Sequence, residues 1–414
     1  MKISAARTQE APSLPKPARP PVAKAVRCPA CGQSKTEEFF QADNVPVFCS
    51  VTFDTAADAR RAPRGNIRLR LCRPCGYIYN AAFVPELVAY APGYENAQHF
   101  SEHFRRYAEQ LADRLVERLG LRGRRIIEIG CGDGYFLSLL CRTGSNTGIG
   151  FDPSCGQEDY PAASGRVSFH SECYGPAHAH EPVDLICCRH VLEHIADPVK
   201  FLLDLRETIG GRDHVRLYFE VPNAMQVLRG FAMWDVLYEH CGYFTAPALQ
   251  RLFFRVGFEP LSTWQSYEGQ FLALFARPVP PRKASMMLAP AVGKDVRISI
   301  EGFDGRFRRK VAQWQQYLAA LHEKSMRAVL WQAGSRGVTL LNALERSKRL
   351  VPYVVDINPR KQGRFVAGSA QQVVAPEFLR TYRPAAAIVM NAIYRHEIAQ
   401  TLRALGVKTD LLIA

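Results

Sequence analysis

Arg124-Arg125-Ile126-Ile127-Glu128-Ile129-Gly130-Cys131-Gly132-Asp133-Gly134-Tyr135-Phe136 reads as a buried strand that runs into a glycine loop and opens a helix. Downstream, Gly148-Ile149-Gly150-Phe151-Asp152 reads as a second strand closed by a carboxylate. Glycine lets backbone approach a ligand closely, and a carboxylate at a strand end can take two ribose hydroxyls. The pair lays out a pocket for a nucleoside-bearing cofactor. Working outward, further candidate strands fall at 184–188, 215–221 and 270–276, beside those at 125–129 and 147–151, with helical stretches between them. This alternation predicts an α/β fold with a central, doubly wound, Rossmann-like and mainly parallel sheet. Upstream, Phe104, Tyr107, Leu111, Leu115 and Leu119 recur at helical spacing, so 101–120 reads as an amphipathic helix capped by Ser101 and stopped at Gly120.

The flanks divide the chain further. Residues 1–26 are rich in Pro, Ala and Lys without apolar periodicity and read as a disordered tail. Residues 27–90 form a small N-terminal module, and 91–277 the central domain. Residues 278–303, with Pro278, Pro280, Pro281 and Pro290, read as a linker. Residues 304–414 repeat the strand-helix alternation as a smaller C-terminal α/β domain: a helical stretch at about 304–323, strands at 327–332, 353–356 and 386–390, and a loop Ala333-Gly334-Ser335-Arg336-Gly337.

With 47% hydrophobic and 22% charged residues, the chain of 414 has an ordinary globular composition. No apolar run is long enough to span a bilayer, and the N-terminus lacks an apolar secretory core, so a cytoplasmic enzyme with no membrane partner is expected. The net charge of +14 raises the question of nucleic acid. Six basic residues against Glu10 give residues 1–27 a share of +5, and the rest is thinly spread. No basic stripe interleaved with aromatics occurs, which argues against a nucleic-acid partner.

Twelve cysteines in such a composition point to metal before disulfides. Cys28-Pro-Ala-Cys31 and Cys72-Arg-Pro-Cys75 are two C-x-x-C knuckles, each followed by glycine. Together they predict a four-thiolate zinc site, which is structural because four thiolates close the coordination sphere. Cys49 is a spare, and Cys187 and Cys188 read as core thiols in a strand.

Two readings of the glycine loop compete. A dinucleotide fold wants pyrophosphate over the helix N-terminus. Glu128, placed before the loop, would repel pyrophosphate but can pair with an ammonium, which favours S-adenosylmethionine. The loop, Asp152 and the run Asp184 to Pro198, which contains His190-Val-Leu-Glu-His194, resemble the class I S-adenosylmethionine-dependent methyltransferases. The resemblance implies cofactor contacts at Glu128, Gly130, Gly132, Asp133, Asp152 and His190.

The two-knuckle module, the core and the C-terminal domain together resemble the zinc-containing sugar C-methyltransferases of antibiotic biosynthesis. Those enzymes act on nucleotide-linked 4-keto-deoxysugars. At the C-terminus the matching stretches are Ala333–Gly337, Tyr353-Val-Val-Asp356-Ile-Asn358-Pro359 through Gly363, and Asn391 through Ile398. The family base segment corresponds to Leu237-Tyr238-Glu239-His240-Cys241-Gly242-Tyr243-Phe244, where Glu239 and His240 match directly. Leu237 stands at the family tyrosine position, and Tyr238 is a candidate replacement shifted by one residue. The resemblance further implies active-site roles for His194 and Tyr94.

Methylating carbon needs a carbanion equivalent, which a neighbouring ketone supplies as an enolate. The enzyme must remove one proton and stabilise one oxyanion. A histidine suits the first task, so His240 is the expected base. The acceptor is a small molecule, with a nucleotide-linked keto-sugar expected from the resemblance. O- or N-methylation of another natural product is one alternative. A zinc-module protein that binds nucleic acid is an alternative from a different class.

Overall fold

The computed structural model describes residues 26–88, 94–155, 166–230, 232–280 and 293–414. The expected disordered tail, apart from Val26, and residues 281–292 of the expected linker lie outside the described residues.

The first strands are β1 (Thr36–Pro46), β2 (Thr52–Phe53), β3 (Arg64–Cys72) and β4 (Ile78–Asn80). β1, β3 and β4 make an antiparallel meander over Phe40, Ile67, Leu69 and Leu71. The central region supplies β5 (Arg125–Ile129), β6 (Thr147–Phe151), β7 (Val167–His170), β8 (Leu185–Arg189), β9 (Arg216–Pro222), β10 (Gly242–Tyr243), β11 (Phe258–Ser266) and β12 (Phe271–Pro278). Seven of these form one sheet in the order β11-β12-β9-β8-β5-β6-β7. Its β9-β8-β5-β6-β7 part is parallel, and β12 and β11 close one side antiparallel. The expected strands are present in this sheet; β7 and β11 were not among them. Cys187 and Cys188 are buried in β8, as core thiols should be.

The helix Glu102–Leu119 has the expected ends. Ser101 Oγ accepts the Phe104 amide at 3.3 Å, and Gly120 takes the left-handed conformation that stops the helix. Its Phe104, Leu111, Leu115 and Val116 face the core.

The C-terminal region supplies β13 (Ala328–Trp331), β14 (Tyr353–Val355), β15 (Phe365–Val366), β16 (Gln372–Val374), β17 (Ala386–Val389) and β18 (Asp410–Ile413). They form a second seven-stranded sheet, β18-β17-β13-β14-β16-β15-β2, parallel from β18 to β16. Two short strands cross the expected boundaries. β2, from the N-terminal module, is the edge strand of the C-terminal sheet, and β10, from the central region, is the edge strand of the N-terminal sheet.

The two parallel sheets share a local design. After β6, Asp152 accepts the Gly132 amide at 2.9 Å and the Ser154 amide at 2.8 Å. After β14, Asp356 accepts the Ala333 amide at 2.8 Å and the Asn358 amide at 2.8 Å. In both, a carboxylate at the end of the second strand pins the loop that follows the first.

Candidate active site between two sheet edges

The carboxyl ends of the two sheets face each other across a cavity of about 240 Å³. Ligands of open parallel sheets bind at that edge. His190 and Pro222 enter from β8 and β9. Gln332, Asp356 and Met390 enter from β13, β14 and β17. Of the residues expected at the site, Tyr94, His190, His194, Glu239 and His240 line this cavity.

His240 and His194 stand edge to face, with ring centroids 4.9 Å apart. Burial lowers the pKa of both to about 4, so each imidazole is neutral near pH 7. His194 Nδ1 lies 3.0 Å from the Glu239 carbonyl; a carbonyl only accepts, so Nδ1 carries the proton. The Glu239 carboxyl is 1% exposed and takes the Cys49 amide at 3.2 Å. Burial pushes its pKa up to about 8, against the opposing pull of the Cys49 amide, Lys361 and the Tyr94 hydroxyl.

Tyr238 is not brought to the cavity. Its hydroxyl accepts the Val84 amide at 2.8 Å, and its ring covers Gly65, where a Cβ would come within 2.2 Å of it. Leu237 lines the cavity instead. Neighbouring side chains here point opposite ways, so the one-residue shift sends the phenol into the N-terminal module.

His190 has a left-handed backbone, φ 55°. Its Nε2 lies 3.2 Å from Glu220 without hydrogen-bond alignment, and its Nδ1 lies 3.7 Å from Glu193. Burial alone would lower its pKa; the two carboxylates reverse that and raise it. Glu220 is the hub of a buried network that sequence reasoning missed. It accepts Arg189 Nε and Nη2 at 3.0 and 2.9 Å, Tyr218 at 2.9 Å, Ser266 at 3.0 Å, and the Tyr107 hydroxyl. Burial opposes its ionisation, but the Arg189 guanidinium holds it well below the usual carboxylate range. Arg336 was also missed as a site residue, although its loop was singled out. It grips Asp235 through two 2.8 Å hydrogen bonds and Gln270 at 2.9 Å, joining the two domains at the cavity wall.

The glycine loop lies next to this cavity rather than in its lining. Gly130, Gly132 and Gly134 all have positive φ. A Cβ on Gly132 would meet only Asn96, at 3.9 Å, whereas one on Gly130 or Gly134 would strike Val191 or Phe169, so the loop leaves open backbone at Gly132 alone of the three. Buried Glu128 and half-buried Asp133 each keep one carboxyl oxygen without a hydrogen-bond partner. Burial raises the Glu128 pKa to about 8. Asp133 faces His99 at 3.5 Å and Arg360 at 3.7 Å. A loop open at Gly132, with one carboxyl oxygen unsatisfied on Asp133 within it and one on Glu128 below it, fits a cofactor that brings hydrogen-bond donors such as an amine.

The four cysteines of the two knuckles converge, with Cys28 and Cys75 sulfurs 3.7 Å apart and those of Cys31 and Cys72 3.4 Å apart. A tetrahedral zinc with Zn–S bonds of ~2.3 Å has sulfur–sulfur edges of ~3.8 Å, close to these separations. Gly32 and Gly76, both at positive φ, turn the chain after each knuckle and donate to the Cys28 and Cys72 carbonyls at 2.7 and 2.8 Å. Cys49 lies apart, beside Glu239.

Residues 101–263 match the family model of a methyltransferase domain, and residues 292–413 match that of the C-methyltransferase C-terminal domain. Residues 101–263, which hold the parallel part of the first seven-stranded sheet, thus form a methyltransferase domain. Among curated proteins, the ubiquinone biosynthesis O-methyltransferase of Citrobacter koseri is 33% identical over 86 residues, 19% of this chain. The chain spans only 35% of that relative's length. Among solved structures, a 1,6-didemethyltoxoflavin-N1-methyltransferase of Burkholderia thailandensis with bound S-adenosylhomocysteine is 18% identical, with 43% of this chain and 82% of that one covered at a TM-score of 0.33. The magnesium protoporphyrin IX methyltransferase of Synechocystis is 16% identical, with 42% and 84% covered at 0.33. No described helix is long and apolar enough to cross a membrane.

Proposed function

We propose that this chain methylates a carbon next to a ketone in a nucleotide-linked deoxysugar or related secondary metabolite, with S-adenosylmethionine as donor. The carrying observation is His240 in the wall of a cavity framed by both sheets, beside His194, Glu239 and Tyr94. The C-methyltransferase C-terminal domain match supports carbon over a heteroatom. When bound, the cofactor supplies an electrophilic methyl group.

His240 accepts the acidic proton next to the ketone. Its neutral form makes the lone pair available, and the imidazolium it becomes is stabilised by Asp235 and by the enolate formed beside it. With burial keeping the Glu239 carboxyl protonated near pH 7, that carboxyl donates to the Tyr94 oxygen, which leaves the single Tyr94 O–H to donate toward the enolate oxygen. Gly130, Gly132, Asp133, Asp152, Glu128 and His190 hold the cofactor. The four cysteines hold a structural zinc that fixes the N-terminal module, whose segment around Cys49 buttresses Glu239.

The Citrobacter koseri relative is named an O-methyltransferase, so oxygen methylation is the competing reading. Proton exchange separates the two. With a keto-sugar nucleotide in deuterated water and no S-adenosylmethionine, the protein should place deuterium on the carbon next to the ketone. His240→Ala should slow this exchange by ~10²-fold or more. Methylated product without any exchange, in wild type, would move the assignment to oxygen or nitrogen.

A further inference from the structure

Next to the expected base stands a second group of metal-binding side chains, far in sequence from the cysteine knuckles. We propose that Glu193, His194 and His240 bind a divalent transition ion of the zinc type at the cavity wall. One ligand atom from each residue falls within 4.8 Å of the others. Two imidazoles and a carboxylate are a recurrent zinc donor set. In such a site at metal–ligand distances of ~2.1 Å, tetrahedral edges are ~3.4 Å, so small side-chain rotations close the shell.

Two further observations point to a ligand. The Glu193 side chain is 2% exposed, and its Oε2 is buried with no hydrogen-bond partner. A buried carboxylate oxygen left in that state is costly, and a cation satisfies it. The Nδ1 proton of His194 points at the Glu239 carbonyl, which puts the ring's lone pair on Nε2. Metal-binding histidines are oriented in this way, with the second nitrogen donating to a carbonyl. All three residues line the cavity, so the remaining coordination positions open toward the acceptor.

Binding rests on these side chains alone. Its consequence rests on the reading of His240 as base: a lone pair held by a metal cannot accept a proton. The ion and proton abstraction therefore exclude each other, and the ion inhibits.

Equilibrium dialysis of the full chain against zinc alone, followed by metal analysis, reads the site. Wild type should hold one zinc per chain more than Glu193→Gln or His194→Ala. The four cysteines are common to all three proteins, so the difference between them isolates the new site. Circular dichroism of samples holding one zinc per chain checks that each variant is folded, and Glu193→Gln is nearly isosteric. Equal stoichiometry in all three would overturn the proposal. In the exchange assay above, the second zinc should slow wild-type deuterium uptake at least about tenfold, with recovery on chelation. Full exchange with the second zinc bound would overturn the exclusion while leaving binding intact. Dialysis uses neither acceptor nor S-adenosylmethionine, so failure of the carbon-methylation reading does not affect it.

Discussion

Glu128 sits under the glycine loop as a carboxyl that burial holds protonated. Its pKa rises from 4.5 to about 8, so the folded protein keeps a proton that the unfolded chain releases over that interval. The stability tied to that proton is complete below pH 4.5 and is lost as pH rises through about 8. Glu128→Gln is neutral at every pH. The melting temperature of wild type should therefore fall relative to Glu128→Gln as pH is raised across this window, with a ceiling on the order of 5 kcal/mol. Parallel melting curves across the window would refute the buried protonated state. The sequence made Glu128 legible as a loop carboxylate, but its protonation depends on burial, which no local pattern displays. The same limit applies at 237–238. Sequence matching put the phenol of Tyr238 in the active site, but its hydroxyl meets Val84 and its ring lies on Gly65.

Elements with their own periodicity and caps were read correctly from the chain. The helix Glu102–Leu119 carries an apolar stripe, a serine at its start and a glycine at its end, and each signal is local. Ser101 also does something that is not local: its hydroxyl donates to Glu397 at 2.6 Å, on the helix Arg395–Ala404 of the C-terminal domain. Ser101→Ala removes the cap and strands that carboxylate contact, so a loss of ~1–2 kcal/mol in denaturant unfolding is expected. A change below a few tenths would mean that water replaces both bonds. Strands β2 and β10 escaped the sequence reading because two residues cannot show a period of two. What defines them is the partner edge each one covers.

At the scale of the whole molecule, the cavity exists because two parallel sheets oppose their carboxyl edges. Arg336 and Asp235 clamp that opposition with both side chains mostly buried. Arg336→Ala leaves Asp235 buried and unpaired, which should cost roughly 2–4 kcal/mol and reduce acceptor turnover more than S-adenosylmethionine affinity. Calorimetry of the cofactor and steady-state kinetics of the acceptor test this; equal losses in both would show that the pair merely holds the fold. By itself, the sequence determined the α/β alternation, the glycine cradle, the paired cysteine knuckles and the Glu239-His240 pair, because each is written within a short span of neighbouring residues or in a repeated spacing. Only the tertiary structure decided which carboxylates lie buried, that Tyr238 turns away, and that Arg336 meets Asp235 from 101 positions along the chain. Such pairings are set by the packing of whole sheets against each other, and burial of a charge has an energy only once the surrounding chain has excluded water.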